Sequence, residues 1–210
     1  MRMQRLNRFA LLVALIAGTS SCGDVVRQGR APVFLVIDRL EAARGGPNEA
    51  DFVGTLFSDV ITNITSPAPC TESSPCPTVF PDNGRVTLRI VPKDLGTPTV
   101  PTVVSTNNEV TINRYRVTYR RADGRNTPGV DVPYPFDGAV TGTVASAGSI
   151  ALVFELVRHI AKYEAPLIQL KINPTIISTI AEVSFYGQDR VGNDVSVTGT
   201  VLIEFGNFGD

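Results

Sequence analysis

The chain has 210 residues, of which 43% are hydrophobic, and its formal net charge at pH 7 is −1. This length is ample for one domain with a real hydrophobic core, and the charge balance argues against nucleic acid or anionic lipid as an electrostatic partner. The 15 prolines and 18 glycines, together with many Val, Thr and Ile residues, favour an all-β chain with frequent turns.

The N-terminus has the three parts of a secretory signal. Three arginines precede an unbroken apolar run at residues 9–17, which is too short to be a stable membrane span. Small residues at 18–21 then lead directly to Cys22. Removal of residues 1–21 takes away three arginines and no acidic residue, so the net charge shifts from −1 to −4.

A basic head, a short apolar core, small residues and then Cys22 resemble the lipobox of bacterial lipoproteins. The resemblance implies that the Cys22 thiol is diacylated, that the chain is cut before it, and that the new amine carries a further acyl chain such as palmitate. Two or more chains tether a protein stably, because each buried methylene contributes about 0.8 kcal/mol. Gly23 is not the Asp that favours inner-membrane retention in this family, which implies the outer membrane, in either leaflet. Thr19 stands where the family prefers Leu, so ordinary signal-peptidase cleavage is the alternative.

After the signal peptide at 1–21, we expect a lipid-anchored flexible spacer at 22–31 and a single domain at 32–210. The first predicted strand, at 32–40, is apolar on both faces at its centre, as is typical of a strand buried in a sandwich. A second predicted strand covers residues 52–64.

A Pro-rich loop is predicted at residues 65–83, with Cys70 and Cys76 inside it. Once Cys22 is assigned to lipid, these are the two remaining cysteines, and in an oxidising compartment they most simply form a local disulfide. Such a short loop contributes about 2 kcal/mol to stability. A metal or redox role is the alternative, although two thiolates alone do not complete a zinc site.

Residues 85–91 alternate apolar and polar side chains and predict a strand. The Pro/Thr-rich connection at 97–108 is expected to run extended along a sheet edge, because its prolines cannot donate to a ladder. The strongest strand in the middle of the chain is 109–121. Its apolar parity switches at Asn113-Arg114, which predicts a β-bulge.

A long polar loop is predicted at 122–138, followed by a short strand at 140–144. Residues 149–161 fit both an alternating strand and a helical face, and the β-rich surroundings favour the strand. Residues 164–178 contain two prolines and leave room for one short helical turn around 167–170.

The C-terminus predicts a β-hairpin with one buried face. Apolar side chains alternate over 181–185 and over 195–205, and a polar turn at 189–194 joins the two runs. Gly199 interrupts the apolar row, which indicates either a bulge or a close backbone approach.

The hairpin resembles the last two strands of bacterial immunoglobulin-like and fibronectin-III-like domains, which often carry Asp-x-x-Gly-Asn between two alternating strands. The matching residues here are Asp189, Gly192 and Asn193, and Tyr115, Val117 and Tyr119 resemble a central strand of such a sandwich. The resemblance implies an all-β, antiparallel Ig-like β-sandwich of about seven to nine strands with long loops. It supplies no catalytic residues, and implies a scaffold for adhesion, spacing or binding.

Chemistry-bearing motifs are scarce in this sequence. The single histidine, His159, is better explained as a surface or strand-end residue than as a catalytic base, and no nucleophile or phosphate-loop motif accompanies it. The weak metal candidates are Asp189, Asn193 and Asp194 as calcium ligands in one turn, together with the loop carboxylates Asp123, Asp131 and Asp137. The preference of turns for Asp and Asn explains both sets better. We therefore predict no cofactor.

Three functions are compatible with these features. The first is a membrane-anchored, non-catalytic structural or binding module whose partner is another envelope protein or a glycan. The second is a β-rich carrier of lipid or another apolar ligand, which requires a large apolar cavity. A distant third is a carbohydrate hydrolase using two carboxylates, for which Glu155 and Glu164 are the candidates.

Overall fold

The computed structural model describes residues 29–46 and 51–209. The predicted signal peptide, Cys22 and most of the predicted spacer lie outside these residues. Within the described ranges, no helix has the length and apolar character needed to cross a membrane.

The described chain is built from β-strands with three short 3-10 helices, named η1 to η3. The strands are β1 (Val33–Ala43), β2 (Thr55–Asp59), β3 (Thr62–Ile64), β4 (Cys76–Thr78), β5 (Asp82–Pro92), β6 (Gly96–Thr97), β7 (Val100–Pro101), β8 (Val110–Arg120), β9 (Phe136–Val144), β10 (Ser149–Val157), β11 (Ile177–Asp189) and β12 (Asp194–Gly206). The 3-10 helices are η1 (Thr106–Asn108), η2 (His159–Tyr163) and η3 (Leu167–Lys171).

Two sheets form an all-β sandwich, as predicted. One sheet has three strands in the order β1-β5-β10, and the other has five in the order β2-β12-β11-β8-β9. Neighbouring strands are antiparallel except for β2 and β12, which run parallel. Two small ribbons, β3-β4 and β6-β7, lie outside these sheets.

Aromatic rings from four strands fill the space between the sheets. The ring centroid of Tyr115 lies 5.0 Å from that of Phe154 and 6.1 Å from that of Phe136, and Phe154 lies 5.2 Å from Phe185. Offset and edge-on ring pairs at these separations contribute about 0.5–1.5 kcal/mol each beyond the area that they bury. This cluster joins β8 and β9 to β10 and β11 and fixes how the two sheets pack.

The β-bulge predicted at Asn113-Arg114 is confirmed. On β11, Gly187 pairs with Ile112 and the adjacent Tyr186 pairs with Arg114. Asn113 is therefore the extra residue on β8 and has no pairing partner on β11. The extra residue reverses which parity faces inward, and this is why Ile112 and Tyr115 are both buried although their positions differ in parity.

The C-terminal hairpin is also confirmed, with β11 and β12 paired along their whole length. Gly192 has a φ of +85° in the turn, a conformation that glycine adopts without steric cost. Gly199 marks a close approach and not a bulge, because the register is continuous there. A Cβ atom at Gly199 would lie 2.7 Å from Cδ1 of Ile37 on β1 of the opposite sheet.

Two strand predictions in the first half of the domain are corrected. Residues 52–64 do not form one strand, because β2 ends at Asp59 and β3 begins at Thr62. The carboxylate of Asp59 accepts the N–H of Ile61 at 3.3 Å, a local bond that turns the chain away from its sheet. The first strand is not buried on both faces, since Val33 and Leu35 are buried whereas Phe34 between them is exposed.

The connection at 97–108 is not an extended edge segment. It folds back on itself as the β6-β7 ribbon, because the hydroxyl of Thr97 accepts the N–H of Val100 at 3.1 Å and Gly96 adopts a φ of +71°. Residues 106–108 then form η1.

Two boundaries in the second half also differ from prediction. The strand predicted at 149–161 ends at Val157, and residues 159–161 belong to η2. Strand β9 begins inside the predicted loop, at Phe136, because that ring is drawn into the core against Tyr115. The helical turn predicted around 167–170 is confirmed as η3.

Candidate binding surfaces at the two ends of the sandwich

The two ends of the sandwich are defined by the register of β5. Its last residue, Pro92, pairs with Val33 at the beginning of β1, and we call this the proximal end because the described chain enters there. Its first residue, Asp82, pairs with Val157 at the end of β10, and we call this the distal end.

A buried polar cluster holds the distal end together. The carboxylate of Asp82, which is 0% exposed, accepts hydrogen bonds from the Ser58 hydroxyl at 2.6 Å and the Gly45 N–H at 2.9 Å. The ammonium group of Lys162, which is 1% exposed, lies 2.9 Å from the same carboxylate. Three donors therefore compensate a charge that has no access to water, as a buried carboxylate requires.

The ion pair fixes the position of η2. Lys162 lies within this single 3-10 turn, directly after β10, and its side chain points inward to the beginning of β5. The neighbouring η3 is held against η2 by Lys171, whose ammonium group lies 3.9 Å from the ring centroid of Tyr163. The segment that leaves the sheet here is thus tied to the core by charge.

Large apolar side chains project into solvent from this segment, and Ile172 is the most exposed at 91%. We define the distal apolar surface as the exposed apolar residues of 159–176, namely Ile160, Tyr163, Ile168, Ile172 and Ile176. Exposed apolar residues that occur singly need no explanation, whereas five within seventeen residues of one segment make this segment a candidate for contact with another molecule.

Tyr119 lies on β8 near the buried cluster and donates its hydroxyl to the carbonyl of Leu156 at 2.7 Å. Burial, and then the nearby negative charge of Asp82, raise the pKa of the Tyr119 phenol above its ordinary value. The folded chain therefore holds this phenol in its neutral form.

Replacement of Tyr119 with Phe is expected to destabilise the protein at neutral pH and to stabilise it relative to the wild type at strongly alkaline pH. At neutral pH the variant loses one buried hydrogen bond and about 1 kcal/mol. Because the pKa of Tyr119 is raised by folding, the wild type keeps its stability below about pH 10 and loses about 1.4 kcal/mol per pH unit above it. Urea unfolding at neutral and alkaline pH measures the difference, and a gap that stays constant with pH would contradict the raised pKa.

The proximal end carries an open groove of about 760 Å³. Two cations stack on aromatic rings along it: the Lys93 ammonium group lies 5.2 Å from the ring centroid of Phe34, and the Arg114 guanidinium lies 4.3 Å from that of Tyr186. The bulge at Asn113 places Arg114 in this position. The Lys93 ammonium group also donates to the Gly29 carbonyl at 2.9 Å.

A second exposed feature follows Lys93 directly. We define the proximal ribbon as residues 94–103, which contain β6, β7 and their turn. Three of its apolar side chains face solvent, with Leu95 74%, Val100 71% and Val103 82% exposed.

Of the residues singled out from the sequence, Cys70 and Cys76 are joined in a disulfide with an S–S length of 2.03 Å and a Cα–Cα distance of 5.3 Å. A structural disulfide indicates an oxidising compartment and hence an exported protein. Cys22 lies outside the described residues.

The weak calcium candidates are occupied by other contacts. The two carboxylate oxygens of Asp189 accept the N–H groups of Val191 and Asn193 and the Asn193 side-chain amide at 2.7–3.0 Å. Asp194 accepts the Gln188 amide at 2.9 Å. These bonds shape the hairpin turn, and across the described ranges no three His, Cys, Asp or Glu residues converge on a possible metal position.

The remaining candidates are separate in the fold. His159 is exposed and follows the end of β10, as predicted for a surface or strand-end residue. Glu155 lies on β10, whereas Glu164 follows η2 in an exposed position. The sequence analysis did not identify Asp82 and Lys162, for which the only signal was a lysine directly after a strongly apolar segment.

Comparison with known proteins gives no assignment: no protein-family model and no curated protein matches this chain.

Proposed function

We propose that the protein is a lipid-anchored outer-membrane lipoprotein whose Ig-like domain acts as a non-catalytic binding module. Its N-terminal Cys22 carries the acyl chains, and its distal apolar surface contacts another protein of the envelope. The observation that carries the proposal is the set of exposed isoleucines on a segment that a buried ion pair holds in place.

The strand order supports an Ig-like assignment. In constant-type immunoglobulin domains one sheet contains strands A, B and E, and the other contains C, F and G. Here β1-β5-β10 correspond in order to A-B-E, and β8, β11 and β12 correspond to C, F and G. The β11-β12 hairpin is then the F-G hairpin that the turn motif of Asp189, Gly192 and Asn193 resembles.

The chemistry of the distal apolar surface favours a protein partner over a glycan. Glycan hydroxyl groups need polar partners, and isoleucine side chains offer none. Isoleucines instead bury well against the apolar residues of a second protein, at about 25 cal/mol per Å² removed from water. The Lys162–Asp82 pair keeps the backbone of η2 fixed in the absence of a partner, which lowers the entropic cost of binding.

The carrier hypothesis is less well supported than the binding module. It requires an apolar cavity between the sheets, where the rings of Tyr115, Phe154 and Phe185 are in contact with one another. The hydrolase hypothesis is also less well supported, because Glu155 lies half-buried on β10 whereas Glu164 is exposed after the end of η2.

Photocrosslinking in the native envelope tests the proposal. A photoreactive amino acid at Ile172 is expected to give one discrete adduct with an envelope protein, whereas the same group at Thr198, exposed on the outer face of the five-stranded sheet, gives none. Ile168→Asp should abolish the adduct, because a carboxylate on the surface cannot be buried against an apolar partner. Cys22→Ser should release the chain from the membrane fraction and abolish the adduct as well.

Two results would contradict the proposal. One is an adduct pattern that is the same at both positions. The other is a Cys22→Ser chain that incorporates labelled palmitate and fractionates with membranes as the wild type does.

A further inference from the structure

The proximal ribbon exposes three aliphatic side chains at the end of the molecule where the described chain begins. Leu95, Val100 and Val103 are each more than two-thirds exposed, and Phe34, also exposed, stacks beside Lys93 at the base of the ribbon. Leaving such side chains in water is costly, because their burial would contribute up to about 1.5–3 kcal/mol each.

Several polar groups of the ribbon are paired within the ribbon itself. The Asp94 carboxylate accepts the Gly96 N–H at 2.9 Å, and the Leu95 carbonyl accepts the Thr102 N–H at 3.1 Å. The Thr97 hydroxyl accepts the Val100 N–H at 3.1 Å. Backbone groups that are already paired can enter a medium of low polarity without the desolvation cost of an unpaired donor or acceptor.

The ribbon also lies close to the anchor. The ammonium group of Lys93, the residue before the ribbon, donates a hydrogen bond to the Gly29 carbonyl at 2.9 Å. Gly29 lies seven positions after Cys22, and a fully extended chain of seven residues spans at most about 25 Å. An acylated Cys22 therefore keeps the proximal end within reach of the bilayer surface.

We propose that the proximal ribbon inserts Leu95, Val100 and Val103 into the interfacial region of the bilayer that holds the acyl chains. This inference rests on the proposed lipid anchor. The insertion is driven by apolar burial and not by charge, in keeping with a net charge of −4 for the chain without residues 1–21. Docking at the proximal end turns the opposite, distal end away from the membrane and toward a partner.

Spin labelling of the acylated protein tests the inference. Thr99→Cys supplies one thiol at the ribbon tip, and a nitroxide attaches to it alone because Cys22 is acylated and Cys70 is bonded to Cys76. In liposomes of phosphatidylethanolamine and phosphatidylglycerol, the label is expected to become accessible to oxygen and protected from a polar nickel reagent. The same label at Thr198 should stay accessible to the nickel reagent.

A matched pair of variants separates insertion from general effects. Leu95→Asp combined with Val100→Asp should return the Thr99→Cys label to its aqueous accessibility, whereas Val153→Asp, at an exposed valine on β10, should leave it unchanged. Since all three sites are exposed, the fold is expected to tolerate each change.

The outcomes distinguish the two proposals. A label that stays aqueous while the protein floats with the liposomes overturns the insertion and leaves the anchor intact. A protein that does not float overturns both. Dipolar broadening between labels, which would place two ribbons against each other, assigns the surface to a second copy of the chain and also overturns the insertion.

Discussion

Replacement of Asp82 with Ala is expected to lower the free energy of unfolding by about 3–5 kcal/mol. The change removes the only carboxylate beside the Lys162 ammonium group in the described structure and leaves that cation buried without compensation. It also removes the acceptor of the Ser58 hydroxyl and the Gly45 N–H. For a domain with a typical stability of about 5–15 kcal/mol, this is a large fraction of the total.

The ion pair itself can be separated from the packing by a double-mutant cycle. Asp82→Leu combined with Lys162→Met removes both charges and keeps apolar volume, so the double variant should be more stable than the sum of the two single changes indicates. Arg89→Gln is the matched control, because its pair with Asp38 at 2.7 Å is exposed to solvent. We expect that change to cost less than about 1 kcal/mol in urea unfolding. Strict additivity of the two buried changes would show that Asp82 and Lys162 act independently.

The same substitutions connect the buried cluster to the proposed binding surface. Once Lys162 loses Asp82, the backbone of η2 is no longer tied to β5, and the distal apolar surface loses its fixed arrangement. The Ile172 adduct should therefore weaken in Asp82→Ala chains that are still folded, whereas Arg89→Gln should leave it unchanged.

Strand positions were largely predictable because period-2 alternation reports directly on which face of a sheet is buried. The parity switch at Asn113-Arg114 located the bulge, and the polar turn at 189–194 located the hairpin. Both features are local, in that a few neighbouring side chains determine them. The Cys70–Cys76 disulfide was predictable for the same reason.

The buried ion pair was not predictable from local patterns. Asp82 follows a proline and precedes Asn-Gly, a context typical of an exposed turn, and Lys162 follows an apolar segment that alternates as a strand. The two residues are 80 positions apart, and only the pairing of β5 with β10 brings them together. The partner of a buried charge is a property of the tertiary fold.

The exposed apolar residues were not predicted from the sequence, for a related reason. A hydrophobic side chain in sequence is assigned to the core by default, yet Ile172 and Leu95 lie in segments that leave the sheets. The 97–108 connection was expected to be extended because of its prolines. The Thr97 hydroxyl and the positive φ of Gly96 instead close it into a ribbon.

The aromatic cluster depends on Gly84, which lies directly opposite Phe154 in the register of β5 and β10. The Phe154 ring covers the glycine so closely that a Cβ atom at position 84 would overlap the ring carbons Cζ and Cε2. The φ of Gly84 is not positive, so alanine is compatible with its backbone conformation. The obstacle to a larger residue is therefore the ring alone.

Removal of the ring should therefore reverse the sign of the Gly84→Ala effect. Phe154→Ala by itself is expected to cost about 3–5 kcal/mol, because it opens a cavity beside Tyr115 and Phe185. Gly84→Ala should cost about 1–3 kcal/mol in the wild type through overpacking. In the Phe154→Ala chain, by contrast, it should stabilise by about 0.4–1 kcal/mol, because the new methyl group fills vacated space and the unfolded chain loses freedom.

Gly54→Ala provides the control for this reversal, since no atom lies within 4 Å of a Cβ at that position. Its effect on the unfolding free energy should be the same in both backgrounds, because a Cβ atom at Gly54 would not contact the ring. Urea unfolding of the four Gly84 and Phe154 combinations then gives the coupling free energy, which is expected to favour the double variant by more than about 1 kcal/mol. If Gly84→Ala destabilised both backgrounds equally, its cost would come from the backbone, and the close packing of Phe154 over Gly84 would have to be abandoned as the cause.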